Sequence, residues 1–322
     1  MIPVRILGTA GLLPGRAVTT EELARKVGRD PAKVEERTGI RTRYWVEPGT
    51  RMTDVGVEVL RRALDAAKVA ATDLRRILFV TATGGDATAP ATASMIAGAL
   101  GLTGSCDAFD INNACMGFLS AFDVAARSVA TGLGPVAIVV VEFTSRGLDP
   151  SNPRPYLVLG DGAAAAVLGT ARPGEGVLGV SLANNGTLPP DTGFGQSLLT
   201  GKLEKIHFHA SRQDIFQIAV DALGSSTQAV LKQAGVKLQD VQWLLPHQPN
   251  GALLDAVVDG LGLDRAKLVP MVRDVGSVGC VAIPYSLDLL LRTRDVRPGE
   301  LILMIGVGAG VSQGALLYQV GG

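Results

Sequence analysis

The chain has 322 residues, of which 47% are hydrophobic and 19% are charged. This length suggests two domains or two fused halves, and the composition is that of a compact protein with a large core rather than a disordered one. The 30 Lys and Arg residues balance the 30 Asp and Glu residues, so the overall charge gives no indication of a nucleic acid or an anionic membrane surface as a partner.

Targeting and cysteine patterns restrict the cellular setting. The first residues lack the basic start and apolar run of a signal peptide, and no apolar stretch approaches the ~20 residues of a membrane span. Cys106, Cys115 and Cys280 cannot all pair within one chain and show no CxxC spacing. A reduced, cytoplasmic setting is therefore expected.

Strands and helices are predicted to alternate, which indicates an α/β fold. A helix is expected to open at Thr19, with Glu22 three residues later as a capping box. A long stretch at 185–213 has little periodicity and is predicted to be a loop lining a site. Strands are predicted at 4–14, 76–83, 106–112, 137–143 and 163–169, and helices at 55–68, 91–101 and 115–131.

The sequence also contains an internal echo. Segment 64–80 resembles segment 231–247 at an offset of 167 residues. The same offset carries Cys115 onto Ala282, in a second glycine-rich loop that runs into an apolar helix. Two copies of one α/β unit, 1–170 and 171–322, explain these similarities; chance similarity between generic helix–strand units is the alternative.

Cys115 is the first candidate for chemistry. It stands where a predicted strand gives way to a buried helix, and free N–H groups at a helix start stabilise a thiolate, the nucleophilic form of cysteine. Gly117 leaves space beside the sulfur. The alternative is an inert core cysteine, because free cysteines are commonly buried. Cys106 and Cys280 have this context weakly or not at all, so a structural role is predicted for both.

His247 is the second candidate, because it follows an apolar strand, where α/β folds collect their active sites. There it can act as a general acid/base or donate to a developing oxyanion. His207 and His209 alternate without Asp, Glu or Cys companions, so ordinary strand residues and no metal site are predicted. The glycine loops at 160–164 and 306–310 match no phosphate-binding pattern and favour hairpins.

Taken together, these segments resemble a known family, the ketoacyl-acyl-carrier-protein synthase III group of the thiolase superfamily. The similarity runs along the whole chain in the family's order. Its markers are ERTGIRTRYW (36–45), FDINNACMGF (109–118), LDPSNPR (148–154), LGDGAAAAVL (159–168), LPHQPN (245–250), VGSVGCVAIP (275–284) and GVGAGVSQGA (306–315).

The resemblance implies a duplicated, five-layered αβαβα thiolase-like fold, usually homodimeric, and ping-pong acyl transfer without a metal or other cofactor. Cys115 would take an acyl group from an acyl-CoA and pass it to a malonyl- or ketoacyl-thioester. The N–H groups of Cys115 and Ala309 match the oxyanion hole, and His247 matches the residue that assists decarboxylation. Arg37 and Arg154 match arginines that bind CoA.

Four positions depart from the family's pattern. Counting back from Pro284, the Asn that completes the catalytic triad is replaced by Ser277. Lys33 stands where a Trp commonly stacks on CoA, and Val307 where a Phe lies near the active site. Ala252 replaces a basic residue associated with docking of the acyl carrier protein. These departures speak against ordinary initiation of fatty acid synthesis.

The leading hypothesis is thus a carbon–carbon bond-forming acyltransferase of specialised lipid or polyketide metabolism, with an acyl carrier protein as a further candidate partner. One alternative keeps Cys115 but makes an ester or an amide without decarboxylation. A second is a weakly catalytic partner subunit of a heterodimer, against which the intact Cys115 and His247 argue.

Overall fold

The computed structural model describes residues 1–186, 192–193, 205–208 and 211–321. Its strands are β1 (Arg5–Leu12), β2 (Arg16–Thr19), β3 (Thr42–Trp45), β4 (Arg76–Val80), β5 (Asp107–Ile111), β6 (Val136–Glu142), β7 (Gly162–Gly169), β8 (Gly176–Asn184), β9 (Thr192–Gly193), β10 (His207–Phe208), β11 (Trp243–Pro246), β12 (Leu301–Gly308) and β13 (Ser312–Gln319). Its helices are α1 (Thr20–Lys26), α2 (Pro31–Thr38), α3 (Met52–Ala67), α4 (Thr92–Ala99), α5 (Gly117–Ala130), α6 (Pro153–Tyr156), α7 (Arg212–Ala234), α8 (Gly251–Gly260), α9 (Val272–Val275) and α10 (Ala282–Thr293).

Two mixed sheets form the centre of the molecule. The first has the strand order β1-β7-β6-β4-β5, in which β4 runs parallel to β5 and β6 while β7 is antiparallel to both of its neighbours. The second has the order β11-β12-β13-β8, with β11 parallel to β12 and the remaining pairs antiparallel. Two short pairs, β2-β3 and β10-β9, lie outside these sheets.

The helices complete five layers. Helices α5 and α10 each contact strands of both sheets, so they form the middle layer. Helix α3 packs on the outer face of the first sheet with α4, and α7 packs on the outer face of the second with α8. Because both faces of the first sheet are covered, β6 and β7 are buried along their whole length, as expected for continuous runs of Val and Ala.

The two sheets share one strand order, since β1, β7, β6 and β4 correspond to β8, β13, β12 and β11. The counterpart of the β4–β5 pair is a single parallel bridge between Leu244 and Leu268. The echoed segments also match, because each runs from a helix that ends in the left-handed region, at Lys68 or Gly235, through one 3₁₀ turn into a strand. The division at residue 170 stays a prediction, which these correspondences support.

Two local predictions are confirmed, one of them with a shifted boundary, and a third is wrong. The helix predicted from residue 115 begins at Gly117, because residues 114–116 form a 3₁₀ turn. The loop at 306–310 is the hairpin between β12 and β13. The loop at 160–164 is not a hairpin, since it leads from α6 into β7 while Asp161 accepts hydrogen bonds from Val46 and Ser145.

Part of the predicted loop at 185–213, including His209, lies outside the described residues, and His207 lies in β10. The capping prediction at Thr19 is half right: its side chain accepts from the Glu22 N–H, but the Glu22 carboxylate binds Arg16. Across the described ranges, no helix has the length and apolar character needed to cross a bilayer.

Candidate active site

Cys115 lies in the 3₁₀ turn Ala114–Met116 between β5 and α5. Ala114 has φ of 45°, in the left-handed region that non-glycine residues seldom adopt. A Cβ on Gly117 would lie 2.5 Å from Cγ1 of Val80, so the first residue of α5 has to be glycine for the turn to pack against β4. This packing holds the Cys115 sulfur at the start of the buried helix.

The electrostatics of Cys115 differ from the prediction. The pKa of its thiol is raised to about 12, mainly by burial and to a smaller extent by the charge of Glu142, while the backbone N–H of Cys115 lowers it. The effect of the helix start is therefore outweighed by loss of solvent. Because the thiol is neutral at pH 7, its proton has to leave as the sulfur attacks.

His247 directly follows β11, and its backbone N–H donates to the Ile305 carbonyl on β12 at 2.8 Å. The side chain is buried, and its Nδ1 has no hydrogen-bond partner among the described residues. Burial lowers the pKa of the imidazole to about 4. His247 is therefore neutral at physiological pH and can donate from only one ring nitrogen.

Ser277 is held through its backbone. Its N–H donates to the Val158 carbonyl at 2.9 Å, and its own carbonyl accepts from the Gly160 N–H at 2.8 Å. Gly276 precedes it with φ of 79°, a conformation that favours glycine. The position that the sequence assigned to the third catalytic residue is thus fixed beside the β7 entry loop.

The turn between β12 and β13 packs on the Cys115 turn. A Cβ on Gly308 would lie 3.1 Å from the Cys115 backbone nitrogen, so the two backbones approach closely. Val307 and Ala309 flank Gly308 and line the same cavity as Cys115. This places the predicted pair of oxyanion donors, the N–H groups of Cys115 and Ala309, on adjacent turns.

One cavity of about 770 Å³ connects these groups. Cys115, His247 and Ser277 line it together, so the three predicted catalytic side chains meet although they are far apart in sequence. Arg37 and Arg154 also line it and are exposed. Both arginines therefore stand at the solvent side of the cavity, as expected for groups that bind a charged substrate.

Two residues that line the cavity, Arg29 and Glu142, were missed from the sequence. Arg29 is an exposed arginine that lines the same cavity. Glu142, at the end of β6, lines it as a buried carboxyl group. Cys280, predicted to be structural, is buried with its sulfur 2.9 Å from Oε1 of Glu142. Glu142 sits at the end of a buried strand, the same position that makes His247 a candidate.

The other departures from the family's pattern lie further out. Lys33 is exposed on α2, and Ala252 is half-buried on α8. Cys106 is half-buried before β5, and its sulfur donates to the Asp107 carbonyl at 3.5 Å. Over the described part of the chain, no group of three or more His, Cys, Asp and Glu side chains has a metal-binding arrangement.

Two family models and several known proteins match the chain. The family model described as 3-oxoacyl-[acyl-carrier-protein (ACP)] synthase III matches residues 109–186, and the model of its C-terminal part matches residues 231–320. A beta-ketoacyl-[acyl-carrier-protein] synthase III of Rhizorhabdus wittichii is 35% identical over 96% of this chain and 97% of its own. The enzyme of the same name from Neisseria meningitidis is 31% identical over 98% of each chain.

Solved structures give the same result. The 3-oxoacyl-(acyl carrier protein) synthase III of Pseudomonas aeruginosa superposes with a TM-score of 0.90 at 28% identity, over 99% of both chains. The priming beta-ketosynthase of the R1128 polyketide pathway has the same TM-score and identity, over 99% of this chain and 96% of its own. OleA of Xanthomonas campestris, at 20% identity and a TM-score of 0.88, shares the fold.

The fold and the site thus define a condensing enzyme of the thiolase-like class, which transfers acyl groups. Within that class, the chain belongs to the 3-oxoacyl-[acyl-carrier-protein] synthase III family.

Proposed function

We propose that the chain loads an acyl group from an acyl-CoA onto Cys115 and condenses it with a malonyl- or ketoacyl-thioester in specialised lipid or polyketide metabolism. The observation that carries this proposal is the single cavity in which Cys115, His247 and Ser277 meet. We assign no cofactor, because acyl-CoA is a substrate that brings its own activated carbonyl.

The shape and charge of the cavity support an acyl-CoA donor. Its walls are mainly apolar around Cys115, which suits an acyl chain, and Arg29, Arg37 and Arg154 stand on its exposed side. Guanidinium groups bind phosphates well because their planar donors match phosphate oxygens. We therefore infer that the CoA phosphates lie against these arginines and the thioester reaches inward to Cys115.

Acyl loading would proceed by attack of the Cys115 sulfur on the thioester carbonyl. The N–H groups of Cys115 and Ala309 would donate hydrogen bonds to the carbonyl oxygen as negative charge develops on it. In the second half-reaction, decarboxylation of a malonyl group builds charge on the acceptor's thioester oxygen. A neutral His247 can donate one N–H to that oxygen, which is the role the family resemblance gives it.

Ser277 and Val307 support a role outside ordinary fatty acid initiation. Ser is shorter than the family's Asn, so its hydroxyl would fall about 1–2 Å short of a hydrogen bond of ~2.9 Å and would act through water or a shifted loop. Val307 is smaller than the family's Phe and lines the cavity. We expect this smaller side chain to accept a bulkier acyl group.

We further propose that the enzyme is a homodimer and works in the reducing cytoplasm, where Cys115 stays a free thiol. The names of the similar synthases include an acyl carrier protein, so malonyl groups on CoA and on a carrier protein are both candidate acceptors. Ala252 lacks the positive charge that the resemblance links to carrier docking, which favours CoA.

The test is a panel of acyl-CoAs followed by mass spectrometry of the intact protein, with Cys115→Ala as control. The expected result is an acyl adduct on the wild type that disappears when a malonyl thioester is added, with release of CO₂. An adduct that is consumed only by an alcohol or an amine would replace condensation by ester or amide formation. Absence of any adduct would refute acyl loading.

A further inference from the structure

Glu142 brings a carboxyl group into the wall of the Cys115 cavity. It ends β6, after six buried residues of which none is polar, and it is 1% exposed. A carboxyl group at such a depth costs several kcal/mol to ionise unless it is compensated. Its position therefore requires an explanation beyond strand packing.

The carboxyl group is held firmly. Oε1 accepts from the Cys280 thiol at 2.9 Å and from the backbone N–H of Ala82. The side chains of Thr81 and Thr83 further stabilise its ionised form. A Cβ on Gly279 would lie 3.4 Å from Cγ of Glu142, so the backbone of the next turn closes against the side chain.

None of these contacts is a cation. The groups that face Glu142 are two threonines and a backbone N–H after β4, Cys280 from the 3₁₀ turn before α10, and Cys115 from the turn before α5. His247 shares the cavity but is neutral. Within the described chain Glu142 forms no ion pair, whereas a buried structural carboxylate is normally paired with a positive charge.

Glu142 and Cys115 line the same cavity, close enough for the charge of one to affect the other. Burial raises the pKa of Glu142 to about 7, and the charge of Glu142 in turn helps to raise the pKa of Cys115. The Cys115 thiol needs a base, and the pKa of His247, lowered to about 4, makes it a poor one. Glu142 is the acid whose pKa lies near the working pH, where general-base catalysis is most effective.

Building on the proposed function, we propose that Glu142 accepts the Cys115 proton during acyl loading. As the sulfur attacks the thioester carbonyl, the S–H bond breaks and the proton passes through one water to the Glu142 carboxylate. The bond from the carbonyl carbon to the CoA sulfur then breaks, and that sulfur leaves with the proton from Glu142. The net change is acyl transfer to Cys115 and release of free CoA.

The test compares Glu142→Gln with the wild type in two reactions of Cys115, followed by intact mass from pH 5.5 to 9.5. Acyl loading by the wild type should rise through about pH 7 and level off, since the carboxylate is the active form. In Glu142→Gln this inflection should disappear and loading at pH 7.5 should fall on the order of 10²-fold. Iodoacetamide, which traps thiolate, should react faster with the variant at pH 9, because the opposing charge is gone.

Slower acyl loading together with faster reaction with iodoacetamide would identify Glu142 as a proton acceptor. Loss of a merely structural residue would slow both reactions or neither. Cys280→Ala is the matched control: it keeps the carboxyl group but removes a hydrogen bond that lowers the pKa of Glu142, so the inflection should move to higher pH. Glu142→Asp should retain an inflection at a reduced rate.

Equal loading profiles for wild type and Glu142→Gln would overturn the proposal. Should Glu142→Gln fail to fold, a wild-type loading profile without an inflection between pH 6 and 8 would overturn it as well. A wild type that accepts no acyl-CoA would instead refute the proposed function itself, and the proton-transfer step with it.

Discussion

Burial controls the protonation of the three titratable groups that line the inner cavity. It raises the pKa of Cys115 to about 12 and that of Glu142 to about 7, and it lowers the pKa of His247 to about 4. At neutral pH the thiol and the imidazole are uncharged, so of these three groups the carboxyl group of Glu142 is the one that ionises near pH 7. Under the proposed mechanism, proton transfer to Glu142 during the attack takes the place of a thiolate that exists beforehand.

Glu142 also makes stability depend on pH. Its folded-state pKa of about 7 lies above the ordinary value of 4.5, so the protonated form stabilises the fold fully below pH 4.5. That contribution is lost as the pH rises towards 7. Glu142→Gln should therefore gain stability relative to the wild type between pH 4.5 and 8, on the order of 3 kcal/mol.

Urea denaturation at several pH values measures this difference. Glu142→Gln and the wild type should approach each other at low pH and separate as the carboxyl group ionises. A gap that stays constant from pH 4.5 to 8 would mean that Glu142 has an ordinary pKa.

Ser277 carries the clearest departure in the site. Losing one oxyanion donor typically costs about 10²–10³ in rate, so a water-bridged Ser277 should still contribute. Ser277→Ala is expected to slow malonyl decarboxylation at least ~10-fold, and Ser277→Asn should retain or increase it. Release of CO₂ from malonyl thioesters measures this step. An unchanged rate in Ser277→Ala would exclude Ser277 from the chemistry.

Residues differ in how far the sequence reveals them. Cys115, His247 and Ser277 could be predicted as site residues because each stands in a motif with a characteristic neighbourhood. Glu142 could not, since its meaning depends on Cys280, which is 138 positions away, and on a burial that only the fold creates. Arg29 could not be predicted either, because nothing near it in the sequence indicates that it lines the cavity.

At the scale of elements, close packing decides where Cys115 stands. Gly117 lets α5 touch Val80 of β4, and an added Cβ would approach Val80 to 2.5 Å. Gly117→Ala should therefore destabilise the fold by about 1–3 kcal/mol and displace the turn. The melting temperature and the rate of acyl loading should therefore both fall.

Gly98 provides the matched control. It lies on the exposed side of α4 with nothing within 4 Å of an added Cβ, so Gly98→Ala should stabilise the protein by about 0.5–1 kcal/mol. If both substitutions had the same effect, packing against β4 would not be what positions Cys115.

The type of each major element could be predicted because apolar runs and glycine punctuation are local properties. Boundaries were less accessible, since the 3₁₀ turn before α5 depends on contact with the β12–β13 turn, which is distant in sequence. The loop at 160–164 was predicted wrongly as a hairpin for the same reason. Asp161 there binds two separate segments instead of bringing two strands together.

At the scale of the whole molecule, β5 leaves one side of the first sheet open. It pairs with β4 alone in the described structure, through groups that include the N–H of Asp107 and the carbonyl of Ile111. By alternation, the N–H of Ala108 points to the open edge. We expect two copies of β5 to pair there across a two-fold axis, as the family resemblance implies.

Ala108→Pro removes one edge N–H without breaking the β4 ladder, so it should weaken the dimer while the protomer stays folded. Ala108→Val, which keeps the N–H, should remain dimeric. Light scattering at micromolar concentration reports the mass. A wild type that is a stable monomer would contradict the shared sheet.

The central claim is that Cys115 carries the acyl group, and intact-protein mass spectrometry after incubation with an acyl-CoA panel tests it most directly. The wild type should gain the mass of one acyl group, and peptide mapping should place it on Cys115 rather than on Cys106 or Cys280. Cys115→Ala should gain nothing. An adduct that persists in Cys115→Ala, or its absence from the wild type with every donor, would contradict the account.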